Sequence, residues 1–443
     1  ARFVSKKKKP KPYEEKELEP FPVDEEKEIV TEPVLKPIEE DPIEEVLFKE
    51  KIKGRISTSS YSNFSNFRTS HRMRYAFSFR GYNLNNSRFS TESYISFRHT
   101  LNETINIADA LKVYSLSVKY DFDKSSSLTF GRKINRKFSS MGAIDGFQYE
   151  KGLGNFRLGA VVGTRPDYKD YGLNLDLLQL GTYVSHSPSN PAKFAQTTLG
   201  FIEQMNKGKT DRRFIYFQHS SQLAKNLNLF GSFELDLFEN INNQAKSTAQ
   251  LTNLFVSFRY RLNKKWRISV SYDNRKNIIY YESYKSFIDQ LIEDETRQGF
   301  RLGLNHRAFR TISWGLNSSL RFKNNAVTSR NLNGYVTFSK IPFINARATV
   351  RANFLQTDFL DSQIFGLRMA KELVGGKLDG EIYYRWVDYN YKLGDRVLHQ
   401  NIVGASLSFR IQKQLSLYLY YEGVFENANP IYHRFNAKII KRF

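Results

Sequence analysis

The C-terminal part of the chain alternates apolar and polar residues with a period of two. Between residues 415 and 422, one parity is apolar and the other is more polar; the apolar set is Leu415, Leu417, Leu419 and Tyr421. A period of two places successive side chains on opposite faces of an extended strand. The pattern recurs from Ile52 to the C-terminus, and it constrains the fold more than any other feature.

The alternation divides residues 51–443 into 22 candidate strands. No Gly/Pro-rich linker interrupts this stretch. So many consecutive strands need a closed sheet, because an open one would leave unpaired edges. The sequence therefore predicts an all-β fold, a closed antiparallel β-barrel of about 22 strands, within a range of roughly 18 to 24.

The hydropathy of the chain agrees with a barrel that crosses a membrane. Mean hydropathy is -0.53, and no run of apolar residues is long enough for a transmembrane helix. A transmembrane barrel strand needs only about 9–11 residues, of which every second one is apolar. The low mean hydropathy is therefore expected for a transmembrane β-barrel with a polar interior.

The last strand carries a resemblance to a known class. Its apolar parity is Phe435, Ala437, Ile439 and Phe443, which resembles the closing strand of Gram-negative outer-membrane β-barrels. Lys441 departs from that pattern. The resemblance covers residues 51–443 and indicates no single transporter family. It implies a location in the outer membrane, contact with membrane lipid and lipopolysaccharide, and insertion by the barrel-assembly machinery.

Residues 1–50 differ from the remainder. They hold seven of the twelve prolines, and residues 12–50 carry four Lys against fifteen Asp and Glu, a net of -11. This composition predicts a periplasmic extension that is extended or disordered unless bound to a partner. The segment is too short and Pro-rich for the plug domain of TonB-dependent transporters. The start at Ala1, without Met or an apolar leader, predicts a mature chain whose signal peptide has been removed.

Connection lengths predict the orientation of the barrel. Most connections after even-numbered candidate strands are short, whereas those after odd-numbered strands are often longer. Outer-membrane barrels have short periplasmic turns and long external loops, so both termini are expected to be periplasmic. The connections expected to be long external loops are 101–111, 135–142, 165–174, 206–211, 239–248, 275–297 and 391–399.

The longest of these loops contains a helical pattern. Its apolar residues recur at the spacing of one helix face: Tyr284, Phe287, Ile288, Leu291 and Ile292. A short external helix is predicted. It could pack on neighbouring loops, fold into the lumen as a constriction, or serve as a docking surface.

Basic residues occupy the polar parity of many strands, and the chain has a net charge of +22. A pore lined with Arg and Lys attracts anions. The alternatives are that these side chains hydrate the wall, pair with acidic residues, or contact lipid phosphates at the rim. The predicted lumen-lining basic residues are Arg74, Lys119, Arg259, Arg261, Arg267, Arg347, Arg351, Arg385 and Arg410.

No catalytic or metal-binding motif is evident. The chain has no Cys, and its seven His are scattered without ligand spacing. A Ser-His-Asn arrangement like that of outer-membrane phospholipases could be assembled only from distant strands. The basic residues lack any nucleic-acid-binding signature. We expect no enzyme activity, no cofactor and no nucleic-acid partner.

Two functions fit the sequence. The first is a passive porin-like channel that prefers anions and is occluded by the acidic extension. The second is a structural or accessory barrel in a larger envelope complex for secretion, barrel assembly or surface export. In that case residues 1–50 and the loops would bind other envelope proteins.

Overall fold

A computed structural model describes residues 49–65, 68–168, 170–188, 194–241, 244–275, 297–323, 326–392, 394, 396–426 and 432–443. Residues 48–443 form one compact unit, and residues 1–47 are grouped separately. The predicted extension at 1–50 therefore lies almost entirely outside the described residues, and its conformation stays a prediction.

Twenty-two strands form one antiparallel sheet in which each strand pairs with its neighbours in sequence. They are β1 Lys51–Phe64, β2 Ser70–Tyr82, β3 Phe89–Thr100, β4 Leu111–Asp121, β5 Ser126–Ile134, β6 Ala143–Leu153, β7 Phe156–Thr164, β8 Leu177–His186, β9 Ala195–Asn206, β10 Lys209–Ala224, β11 Leu227–Ile241, β12 Gln244–Arg261, β13 Trp266–Arg275, β14 Arg297–His306, β15 Ile312–Lys323, β16 Ala326–Phe338, β17 Arg347–Thr357, β18 Leu360–Val374, β19 Leu378–Tyr391, β20 Arg396–Gln412, β21 Leu415–Glu426 and β22 Tyr432–Arg442. The predicted fold class and strand number are confirmed.

The sheet closes where β1 pairs with β22, from Arg55 opposite Arg442 to Phe64 opposite His433. Gly54 N–H donates to the Phe443 carbonyl at 2.7 Å, and Phe443 N–H donates back at 3.0 Å. The Phe443 ring covers Gly54, where a Cβ would overlap it. The pairing of β1 with β22 therefore closes the ring of strands and leaves the sheet without an edge, and Phe443 extends this pairing by two hydrogen bonds.

The two faces of the wall differ in chemistry. On β5 and β6, Phe130 and Phe147 are exposed on the outward face, whereas Thr129 and Gln148 are buried on the inward face. The same division runs round the barrel, because side chains along each strand alternate between the lipid and the lumen. The backbone N–H and C=O groups form hydrogen bonds between neighbouring strands. The predicted closing residues Phe435, Ile439 and Phe443 are exposed on the outward face, and Ala437 shares their parity.

The lengths of the connections differ less between odd-numbered and even-numbered strands than predicted. The expected loop 206–211 is wrong, because β9 and β10 are joined by the two-residue turn Lys207–Gly208. The expected loop 239–248 is also wrong, since β11 extends to Ile241 and β12 starts at Gln244. A connection as long as 339–346 follows an even-numbered strand. The strands are simply longer than their apolar patterns, and a periplasmic position for both termini stays a prediction.

Helical structure in the described residues is confined to short connections. These are the four-residue helix α1 Ile107–Ala110 and the 3-10 turns Leu84–Asn86 and Ser139–Met141. No helix among the described residues is long and apolar enough to cross a membrane. The helix predicted within 275–297 falls outside the described residues.

Candidate functional site

The segment 135–142, between β5 and β6, packs against the inner wall of the barrel; we call it the inner loop. Phe138 is fully buried, and its ring lies over Gly181 of β8 and Gly200 of β9, where a Cβ would meet it. Met141 covers Gly181 as well. Gly181 and Gly200 share the inward parity of their strands, so the loop lies inside the barrel.

A hydrophobic cluster fixes the inner loop to this wall. Besides Phe138 and Met141, the cluster contains inward residues of β6 to β10: Ile144, Val161, Tyr183, Ile202, Phe214 and Tyr216. The Phe138 ring lies 5.3 Å from that of Tyr183 and 5.8 Å from that of Tyr216. The contact places an apolar core within a polar lumen and attaches the loop firmly to one side.

Polar contacts tie the loop further along the wall. Lys137 Nζ donates to Glu150 Oε2 at 2.8 Å, and Asn135 Nδ2 donates to Tyr183 OH at 3.0 Å. Tyr183 OH also donates to Glu150, and Arg157 Nη1 lies 3.3 Å from the same carboxylate. Glu150 thus receives three donors, and the inner loop is anchored by charge as well as by packing.

The inner loop corrects one prediction. The segment 135–142 was expected to be an external loop, and constriction was considered only for the segment 275–297. A loop with one buried Phe resembles an exposed turn in sequence. The burial of Phe138 depends on Gly181 and Gly200, two glycines of distant strands that leave space for its ring because they have no side chain. Inward glycines opposite bulky aromatics are the signal that sequence reasoning missed.

Strand parity places the nine predicted basic residues on the inward face, opposite the exposed apolar residues. Their surroundings differ. Lys119 pairs with Asp121 at 2.5 Å, and Arg74 donates to Ser96 Oγ at 2.9 Å. The Arg385 guanidinium lies 4.6 Å from the ring centroid of Tyr383.

Six of the nine are exposed, and within the described ranges none of the six makes an ion pair. They are Arg259, Arg261, Arg267, Arg347, Arg351 and Arg410. Arg261 and Arg267 stand directly opposite each other on β12 and β13. Like charges in that position repel unless anions or water separate them. We call the inward faces of β12 to β17 the arginine wall.

Elsewhere on the inward face, charges are neutralised. Arg212 is 4% exposed; its Nη2 donates to Glu234 at 2.8 Å and to Asp236 at 2.7 Å. Thr252 Oγ1 donates to Asp236 at 2.9 Å. The Arg212 guanidinium also lies 3.8 Å from the ring centroid of Phe214. Arg212 therefore balances two buried carboxylates beside the cluster that holds the inner loop.

A second inward cluster occupies β19 to β22. Glu422 Oε2 accepts from Tyr383 OH at 2.5 Å and from Tyr420 OH at 2.8 Å. Arg434 Nη1 donates to Glu422 Oε1 at 2.9 Å. Gly404 leaves room for the Tyr383 ring, which a Cβ would overlap. The charge of Glu422 is satisfied within this cluster.

The two rims of the barrel carry different charge. We call the rim with the chain termini, formed by the turns after even-numbered strands, the terminal rim. Its described turns hold one acidic residue, Asp123, and ten basic ones: Arg88, Lys124, Lys225, Lys264, Lys265, Arg307, Arg310, Lys340, Lys377 and Lys413. The described turns of the opposite rim hold six basic and six acidic residues.

Asp123 is itself held in a turn. Ser126 Oγ donates to its carboxylate at 2.6 Å, and Ser125 Oγ donates at 2.7 Å. These hydrogen bonds, that of Ser126 first, hold the pKa of Asp123 well below its usual range. Lys151 Nζ lies 3.2 Å from the same carboxylate. Asp123 is therefore ionised at neutral pH, and the terminal rim is basic because ten cationic residues outnumber this one carboxylate.

The fold, the apolar outer wall and the polar inner wall define a closed transmembrane β-barrel of the outer-membrane type. No protein-family model matches the chain, and no curated protein matches it.

Solved structures with a similar barrel include OpdO of Pseudomonas aeruginosa (10% identity, 89% of this chain and 97% of that one, TM-score 0.48). OpdK of the same organism, crystallised with vanillate, is 10% identical over 89% and 98%, with a TM-score of 0.44. OccAB4 of Acinetobacter baumannii is 9% identical over 89% and 98%, with a TM-score of 0.44. At such identities and TM-scores, these similarities define no function for this chain.

Proposed function

We propose that this barrel is a passive channel for small polar solutes, with a path that runs through the lumen past the inner loop. The observation that carries the proposal is the exposure of inward arginines such as Arg259, Arg347 and Arg351. Solvent in front of these side chains is what a solute path requires. Among the described residues, the inner loop packs against the inward side of β6 to β10.

The test is reconstitution of the purified barrel in planar bilayers. Discrete single-channel currents in symmetrical KCl support the proposal. A protein that inserts, shows the heat-dependent mobility shift of a folded barrel and never conducts would contradict it.

The arginine wall supports a preference for anions. Replacing Arg347 and Arg351 together by Gln is expected to lower the anion-to-cation permeability ratio by roughly fivefold for each charge removed. One unit charge at about 4 Å in water is worth about 1 kcal/mol. Reversal potentials across a KCl gradient measure the ratio. Arg330→Gln is the matched control, because Arg330 lies opposite Leu320 on the outward face. An unchanged ratio in the double variant would exclude the preference.

The charge of the N-terminal segment supports a role in occlusion. Residues 12–50 carry -11, and the turns of the terminal rim are basic. Removing residues 1–50 is expected to raise the open probability, most clearly at low ionic strength, where charge attraction is least screened. Single-channel recording at two salt concentrations measures this. Equal open probabilities for the full and shortened chains would sink the occlusion hypothesis.

The alternative, an accessory subunit of an envelope complex, gains no support from a particular contact or surface in the described part of the chain. It makes a distinct prediction. The protein would be purified from membranes in fixed stoichiometry with other envelope proteins, and binding would depend on residues 1–50. Stoichiometric partners combined with a non-conducting barrel would favour this function over the channel.

A further inference from the structure

An apolar groove of about 830 Å³ lies on the outer wall, across strands β18 to β22 and β1 and beside the turn that precedes β17. Small residues form its floor, among them Gly380, Ala405 and Ala437. Larger exposed side chains such as Ile382 and Leu419 line its sides. Elsewhere on the outward face of the barrel, large apolar side chains project from the surface. The groove is therefore a local depression in the lipid-facing surface.

The groove follows a row of paired residues that descends towards the terminal rim. In register, the row is Ser62, Phe435, Tyr421, Ala405, Ile382 and Met369. Five steps of about 4.8 Å give it a length of about 24 Å. Barrel strands tilt by about 35–45° from the membrane normal, so a row of paired residues runs obliquely to the membrane plane. A row of this length spans roughly one leaflet of a hydrocarbon core about 30 Å thick. The shape fits an extended acyl chain.

The lower end of the groove is basic and amphipathic. Lys371 lines it, is exposed, and makes no ion pair with any described residue. The turns beside it carry Lys340 and Lys377. Ile344 lines the same end, and its neighbour Phe343 is fully exposed at 103%. Exposed aromatic and basic side chains are typical of the level of lipid headgroups.

We propose that this groove binds one anionic glycerophospholipid, with an acyl chain over Ala405 and Gly380 and the phosphate at Lys371. Two independent features meet here: a lipid-facing depression of the right length, and an unpaired cation at its headgroup end. The choice of a phospholipid depends on the prediction that the terminal rim faces the periplasmic leaflet. The site is separate from the lumen and does not depend on channel activity.

Native mass spectrometry of the detergent-solubilised full chain tests the site with three probes: phosphatidylglycerol, phosphatidylcholine and lipid A. The wild-type protein is expected to retain one phosphatidylglycerol more strongly than either other lipid. Lys371→Ala is expected to weaken that binding about fivefold, as one surface charge does near anionic headgroups. Ala405→Trp, which fills the groove, is expected to abolish it.

Two variants serve as controls, and each variant is first shown to be folded by its heat-dependent mobility. Lys413→Ala removes a cation of the same rim that does not line the groove. Val350→Trp adds bulk to the outer wall beyond the groove. Neither should change retention. Equal retention of phosphatidylcholine, stronger retention of lipid A, or equal losses in Lys413→Ala and Lys371→Ala would each overturn the proposal.

Discussion

Replacing Arg212 by Ala is expected to destabilise the barrel by about 3–5 kcal/mol, the usual cost of removing one partner from a buried ion pair. Glu234 is 9% exposed and Asp236 is 6% exposed, and both would lose a donor within 3 Å. The two carboxylates face the lumen side by side, so their mutual repulsion would add to the loss. The free energy of unfolding in urea, measured in lipid vesicles, is the direct readout.

A triple variant separates lost charge balance from lost packing. Arg212→Met combined with Glu234→Gln and Asp236→Asn removes all three charges and keeps comparable volumes. Replacing a buried ion cluster by neutral groups is often close to neutral in stability, so most of the loss should be recovered. An Arg212→Ala protein as stable as the wild type would show that water reaches the cluster.

The wall of this barrel is predictable because its signal is local. Each strand alternates, and a shift of one residue would move the whole apolar face into the lumen, so the register follows from the pattern. The last strand is an example, because Phe435, Ile439 and Phe443 lie on the outward face as the alternation requires. The inward parity of Arg347 and Arg351 follows from Val350 on the outward face in the same way.

Contacts between distant residues leave no such local signal. The inner loop depends on Phe138 meeting glycines of β8 and β9. The buried position of Arg212 depends on Glu234 and Asp236, which come from the neighbouring strand β11. The charge of the terminal rim likewise emerges only when the turns are assigned to one end.

Replacing Phe138 by Ala is expected to release the inner loop and raise single-channel conductance. The ring is fully buried, and truncation of a buried Phe costs about 3–5 kcal/mol. Each 1.4 kcal/mol changes an equilibrium constant tenfold. The loop, which is docked almost all the time in the wild type, is therefore expected to undock often in the variant. We expect a larger mean conductance together with flicker between two current levels. Planar bilayer recording at constant voltage measures both.

The same release can be produced from the opposite side of the contact. Gly200→Val puts methyl groups where the Phe138 ring lies, so it should reproduce the flicker without altering the loop sequence. Leu173→Ala is the matched control, because Leu173 is a 65% exposed loop residue of the same rim. If conductance is unchanged in both Phe138→Ala and Gly200→Val, the polar contacts of Lys137 and Asn135 suffice to hold the loop. Those polar anchors would then hold the loop in the lumen, and Lys137→Ala becomes the change that should raise the conductance.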